Sequence, residues 1–294
     1  MSTFLADMAA SSRARLDAAR AREPLAALES RARSAVPPRA LALSTFDLIA
    51  EIKPASPSRG PLLGPHHAGP HATDVQGSAS TSVPNTHTVC RTLAHHYAAA
   101  GAAITSVLTE PTRFGGSDEL LRAISAAVAT PTMRKDFLID PYQVVQARAD
   151  GASGILLITR MLSDSQLAEM LAAARAHNLF VLLEGFDETD LARVSDVSRL
   201  ASGVSLLLGL NTRNLADLSV DPSRLDRLIS HFPPGFPRVA ESGLETPEDA
   251  GRIAALGYRL ALVGTALMRS AQPQALARAM IARGRAVAAA RLTP

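Results

Sequence analysis

Apolar positions in this chain cluster in short runs, and each run gives way to a stretch with helical spacing. Leu48-Ile-Ala-Glu-Ile52 opens the series. Ala103–Leu108, Thr132–Arg134, Gly154–Ile158, Leu179–Glu184, Ser205–Leu210, Arg238–Ala240 and Leu260–Gly264 continue it. Short apolar runs without alternation are expected of strands buried on both faces, as in a parallel sheet. Helical patterns fill the gaps: Thr92–Ala100, Asp118–Ala129, Pro141–Asp150, Ser163–His177, Glu188–Val194, Pro222–Ser230, Pro247–Leu256 and Gln272–Ala290. Ser163 with Gln166 three residues on is a capping-box start. Eight strand–helix units within about 250 residues predict an α/β fold, a (β/α)8 TIM barrel, with function at the C-terminal ends of the strands. A doubly wound open sheet is the competitor, but no G-x-G-x-x-G turn follows the first strand.

Two stretches stand outside that rhythm. In residues 1–45, Phe4, Leu5, Met8, Leu16, Leu25 and Leu28 fall at helical spacing, which predicts one or two amphipathic helices. Asp7, Asp17, Glu23 and Glu29 are interspersed, unlike an acid-poor transit peptide, and Pro37-Pro38 closes the segment. We read 1–45 as a helical extension flanking a barrel at 46–294. Residues at about 60–88 are rich in Gly, Pro, Ser and His without apolar period, and read as a long mobile first loop. Its histidines, His66, His67, His71 and His87, complete no ligand set with a carboxylate or second cysteine at metal-site spacing, so no metal is expected.

Composition narrows the class. With 294 residues and 47% hydrophobic content, one large core is affordable. A net charge of +3 without a basic, aromatic-interleaved cluster gives no support for nucleic acid. No apolar run approaches the roughly 20 residues needed to cross a bilayer, so no membrane partner is expected. Cys90 is the single cysteine. It excludes an intrachain disulfide and fits a reducing, cytoplasmic compartment.

Charge type is more telling than net charge. Of 30 Lys+Arg residues only Lys53 and Lys135 are lysines. Lys can release a proton or form a Schiff base; Arg cannot. Both sit at strand ends, and Glu51 shares a strand face with Lys53. A structural ion pair at a strand edge is the plain alternative. In a barrel the polar residues ending each strand converge. They are Glu51 and Lys53, Ser106 and Thr109, Lys135 and Asp136, Glu184, Asn211 and Arg213, Glu241-Ser242-Gly243, and Gly264-Thr265. The fourth strand offers only Thr159 and Arg160. Gly243 and Gly264, with Ser242 or Thr265 as hydroxyls, suit a phosphate cradle after the last two strands, or else simply tight turns.

These residues also form motifs in order: Ile49-Ala-Glu-Ile-Lys-Pro-Ala-Ser-Pro-Ser-Arg-Gly60, Ser106-Val-Leu-Thr-Glu110 with Phe114-Gly-Gly-Ser117, and Met133-Arg-Lys-Asp-Phe-Leu-Ile-Asp-Pro-Tyr-Gln143. Leu182-Leu-Glu184, Gly209-Leu-Asn-Thr-Arg-Asn-Leu215, Glu241-Ser-Gly243 and Leu262-Val-Gly-Thr-Ala-Leu-Met268 follow. Together they resemble the indole-3-glycerol-phosphate synthase family over nearly the whole chain. The resemblance implies a carboxy-lyase of tryptophan biosynthesis. It would act without cofactor or metal on 1-(2-carboxyphenylamino)-1-deoxyribulose 5-phosphate, a small anionic phosphate. It implies Lys135 as general acid, Lys53 as anion holder and second proton source, and Glu184 as acid/base in water loss. Glu51 would orient the lysines and Asn211 the substrate. Ser56, Phe114, Arg213, Glu241 and Ser242 would bind substrate, and Gly243, Gly264 and Thr265 its phosphate. A monomer or weak homo-oligomer is expected, with other tryptophan-pathway enzymes as candidate partners.

The chain departs from the family pattern in three places. Its first loop is about 20 residues longer than usual; Gly185-Phe186 replaces a small apolar residue and His; and Asn211-Thr212-Arg213 stands for Asn-Asn-Arg. Rival readings are phosphoribosylanthranilate isomerase, disfavoured because Cys90 is not at a strand end; a Schiff-base aldolase; and an inactive barrel kept as an interaction partner.

Overall fold

Eight parallel strands close on themselves in this computed structural model, which describes residues 2–63, 85–198 and 202–292. The chain enters through α1 (Thr3–Arg22) and α2 (Leu25–Ser34) before the first barrel strand, β1 (Asp47–Ile52). A small antiparallel hairpin, β2 (Ala55–Ser56) and β3 (Gly60–Pro61), follows it. Then come α3 (Thr86–Ala100), β4 (Ile104–Leu108), α4 (Pro111–Phe114), α5 (Asp118–Ala127), β5 (Thr132–Lys135) and α6 (Pro141–Ala149). The second half adds β6 (Gly154–Ile158), α7 (Asp164–Ala176), β7 (Phe180–Gly185), α8 (Glu188–Ser198), β8 (Leu206–Asn211) and α9 (Arg224–Leu228). It ends with β9 (Arg238–Glu241), α10 (Pro247–Leu256), β10 (Leu260–Val263), α11 (Thr265–Arg269) and α12 (Pro273–Leu292). The barrel order is β1-β10-β9-β8-β7-β6-β5-β4, so β1 pairs with both β10 and β4 to shut the ring. The (β/α)8 barrel expected from the pattern is therefore the fold.

The uniform apolar runs are explained by two cores meeting on the strands. Leu48, Ala50 and Ile52 face outward into the layer under the helices. Ile49 points inward to meet Ile104, Met133, Leu156, Leu182 and Leu207 in the barrel interior. Successive strand residues point to opposite faces, so a strand covered on both sides needs apolar residues at every step. A third core pins the extension: Leu16, Ala19, Leu28 and Ala32 pack on Tyr142, Val145 and Ala149 of α6.

Some boundaries differ from expectation. Helix α3 starts at Thr86 rather than Thr92, because the Asn85 side chain accepts the His87 N–H at 2.9 Å and caps it. The expected helix over Pro222–Ser230 is shorter, with a 3-10 turn at Ile229–His231 after α9. The expected mobile loop at about 60–88 is partly regular, since Gly60–Pro61 belongs to the hairpin and α3 begins at Thr86. Its remainder, 64–84, with His66, His67 and His71, lies outside the described residues. No described helix is long and apolar enough to cross a membrane.

Candidate active site

A cavity of about 400 Å³ opens at the C-terminal ends of the strands. All the residues given a catalytic, substrate or phosphate role by the resemblance border it: Glu51, Lys53, Ser56, Phe114, Lys135 and Glu184, then Asn211, Arg213, Glu241, Ser242, Gly243, Gly264 and Thr265. Strand register brings them together. Glu51 leaves the end of β1, Lys135 the end of β5 and Glu184 the end of β7, while Asn211 on β8 is directly paired with Glu241 on β9.

Charges form a chain across the floor. Lys53 Nζ lies 2.7 Å from Glu51 Oε1, and Lys135 Nζ lies 4.0 Å from Glu51 Oε2 and 3.7 Å from Glu184 Oε2. Asn211 Nδ2 donates to Glu184 Oε1 at 3.0 Å. Asn211 Oδ1 in turn accepts from Ser242 Oγ at 2.8 Å and from the Arg213 N–H at 3.0 Å. Burial alone would push Glu51 toward neutrality, but Lys53 and Lys135 outweigh it and hold the carboxylate below its ordinary range. Burial likewise opposes the Lys135 charge; Glu184, Glu51 and Glu241 win, and hold this ammonium above the ordinary lysine value. Glu241 goes the other way: burial and the neighbouring Glu184 raise it well above a normal carboxyl.

The walls differ in character. On one side Phe137 stacks near Phe4 of α1 and Phe114 of α4, with ring centroids 6.0 and 6.1 Å apart. On the other, Ser242 and Gly243 both turn through positive φ, 69° and 71°, the left-handed region that glycine adopts readily. Gly264 is required for another reason as well. A Cβ there would overlap Glu51 Oε1 and stand 3.1 Å from Lys53 Nζ, so the glycine makes room for the ion pair.

Several rim residues do not reach the cavity's chemistry. Ser106 and Thr109 are buried in the wall. Asp136 borders the cavity, but its carboxylate is taken by Arg15 at 2.8 Å, Thr109 at 2.7 Å, Arg134 at 3.2 Å and the Phe137 N–H. Thr159 donates to the Glu184 carbonyl, and Arg160 pairs with Asp187 and Asp190 over the Phe186 ring. Sequence reasoning missed Phe4 and Phe137. It also missed Gly209, over which the Glu241 carboxyl lies so closely that a Cβ would overlap it. A glycine inside a strand was the available signal.

A closed (β/α)8 barrel with facing lysines and carboxylates at this rim is a barrel enzyme built for acid–base chemistry. The family model described as "Indole-3-glycerol phosphate synthase" matches residues 75–280. The chain belongs to the indole-3-glycerol phosphate synthase family. A relative of that description from Azospirillum brasilense is 39% identical over 290 residues, covering 96% of this chain and 100% of its own length. Another, from Verminephrobacter eiseniae, is 38% identical over 282 residues, covering 93% and 97%. Among solved structures, 3-hexulose-6-phosphate synthase from Salmonella typhimurium superposes with a TM-score of 0.60 at 13% identity, covering 82% of this chain and 100% of its own. That likeness is one of fold alone.

Proposed function

We propose that this chain closes the indole ring: it converts 1-(2-carboxyphenylamino)-1-deoxyribulose 5-phosphate to indole-3-glycerol phosphate, CO2 and water. The observation that carries the reading is Lys135, half-buried between Glu51 and Glu184 and held as an ammonium at the cavity floor. Attack of the aromatic ring on a ketone needs a proton at the developing alkoxide, and a positioned acid is worth about 10²–10⁴ in rate. Lys135 supplies that proton and the ring carbon bonds to the former carbonyl carbon. Loss of CO2 then returns its electron pair to the ring. Lys53, clamped by Glu51, holds the substrate's anionic groups and stands ready as a second acid. Glu184, oriented by Asn211, serves the later loss of water.

The walls suit the two ends of such a substrate. The Phe4, Phe114 and Phe137 side fits the carboxyphenyl ring, and Ser56 borders the same cavity. Gly243, Gly264 and Thr265 would receive the phosphate on backbone N–H groups, with Ser242 beside them. Arg213, which donates to the Leu218 carbonyl at 2.7 Å and approaches Ser58 of the hairpin at 3.4 Å, adds positive charge above. Glu241 would contact the substrate from β9. The chemistry asks for no cofactor. We place the enzyme in the cytoplasm as a monomer or weak homo-oligomer, among other tryptophan-pathway enzymes, with 1–45 serving the barrel rather than standing apart.

The test is turnover of the carboxyphenylamino-deoxyribulose phosphate, followed by indole fluorescence, in wild type and Lys135→Arg. The expected outcome is ready turnover that falls by at least about a hundredfold in the variant, which keeps the charge but cannot give up the proton. An inactive wild type would refute the function; an unimpaired variant would refute the role of Lys135.

A further inference from the structure

Glu241 is a carboxylate whose surroundings do not fit a charge. Glu51 has Lys53 at 2.7 Å, and Glu184 has Asn211 and Lys135. Glu241 is 1% exposed, and among the described residues neither of its oxygens accepts a hydrogen bond. A buried carboxylate without a donor is costly, and such a group escapes by holding a proton. The carboxyl is turned instead over Gly209, the β8 residue paired with Glu184, so its neighbour across the strands is another acceptor, the Glu184 carboxyl. Two acceptors can meet only with a proton between them.

Strand register explains how they meet. Glu184 on β7 pairs with Gly209 on β8, and Asn211, two residues on, pairs with Glu241 on β9. The Glu241 side chain runs back over Gly209, its Oε1 occupying the place a Cβ would take. Any side chain at 209 would push the carboxyl off this path. The groups facing it are Glu184 from β7, Lys135 from β5 and Glu51 from β1. One ammonium, that of Lys135, thus faces Glu241 together with two other carboxyls, and a proton on the Glu184–Glu241 pair relieves that excess of negative charge.

We propose that Glu184 and Glu241 share one proton in the resting enzyme, and that this is the proton Glu184 delivers to the leaving hydroxyl when water is lost. This rests on the ring-closing function argued above. After CO2 departs, the hydroxyl made from the substrate ketone sits on the ring carbon bonded to the sugar chain. Glu184 protonates that oxygen, the C–O bond breaks, and water leaves with its electron pair. The neighbouring ring CH2 then loses a proton, its C–H pair forming the indole double bond, and the carboxylate pair takes that proton up. Dehydration therefore returns to the pair the proton it spends. The proton that Lys135 gave to the ketone is replaced from solvent, matching the exchange of a carboxylate for CO2. Glu241 acts through Glu184, as a proton-sharing positioning residue.

The test joins infrared spectroscopy to kinetics on the full chain. Wild type without ligand should show a protonated-carboxyl C=O stretch that persists in mildly alkaline buffer and disappears in Glu241→Gln. The same near-isosteric variant should lose kcat by about a hundredfold with KM within about threefold of wild type. Glu241→Asp, which keeps an acid on a shorter arm, should recover part of the loss. A role confined to gripping substrate would instead raise KM at constant kcat. Absence of the alkaline-resistant stretch in wild type overturns the proposal, and needs no variant to fold. Wild-type kcat in Glu241→Gln overturns the delivery step. A wild type that shows the stretch but does not turn over the substrate refutes the ring-closing function, and leaves the shared proton supported.

Discussion

Lys135 illustrates how the end of a strand can hold a side chain as an ammonium among carboxyl groups. Its burial would discharge it, and the facing Glu184, Glu51 and Glu241 carboxyl groups reverse that effect. The direction of the shift sets the pH dependence. A raised lysine stays protonated to higher pH than a free one, so its acid form is present throughout the neutral range and is lost as pH rises through its elevated value. The alkaline limb of the kcat profile assigned to Lys135 should therefore lie above the ordinary lysine value of 10.5. A limb at or below that value, tracked by indole fluorescence, would contradict the carboxylate clamp. At this scale much of the site was legible. Two lysines in a chain otherwise served by arginine singled out positions that the fold brings to one cavity, and the strand ends placed Glu51, Glu184 and Asn211 beside them. Asp136 reaches the cavity border as expected, but its carboxylate turns to Arg15 and Thr109, because neighbouring residues at a strand end face opposite ways. Phe4 was illegible for a different reason. An aromatic at the start of a helix gives no hint of where that helix docks.

Among the elements, α1 has the most unexpected placement. Its face carries Leu5 and Met8 into the barrel-interior cluster, Leu16 and Ala19 onto α6, and Phe4 to the cavity. Arg15 reaches Asp136 with both terminal nitrogens at 2.8 Å, on the residue directly after Lys135. Burial would raise Asp136; the Arg15 hydrogen bonds, Arg134 and Thr109 outweigh it and hold the carboxyl far below its ordinary 3.8. A depressed carboxyl contributes stability above its unfolded value, and that stability is lost as pH falls through the acid range toward its folded value. Arg15→Ala should thus destabilise by about 2 kcal/mol near neutrality, less than a fully buried pair would, because the Arg15 side chain is 26% exposed. The deficit should shrink as the solution is acidified. Urea unfolding at neutral and acid pH measures both, and an equal deficit at every pH would show that the ion pair is not its cause.

The whole barrel depends on closure, and closure is where pattern reading stops. Apolar runs announced eight strands buried on two faces, since that environment leaves no polar position to alternate with. They could not show how tightly the last helix must seat. Helix α12 lies over β1, the strand that joins the two ends of the ring, and Arg285 donates to the Phe46 carbonyl at 3.0 Å and to Asp47 at 2.7 Å. Between these contacts Gly284 faces the Phe46 ring, and a Cβ there would overlap it. Two effects oppose each other in Gly284→Ala. Helix propensity favours Ala by about 1 kcal/mol in a helix interior. Overpacking against a ring that is 0% exposed, and so has nowhere to retreat, costs about 1–3 kcal/mol. Because Phe46 stands directly before β1, its displacement would strain the closing strand, so we place the cost in the upper part of that range. The variant should be destabilised by about 1–2 kcal/mol net in urea. Its KM should be unchanged, since Gly284 does not border the cavity. A stabilised variant would mean that propensity outweighs packing here and that the helix can slide on the barrel without opening it.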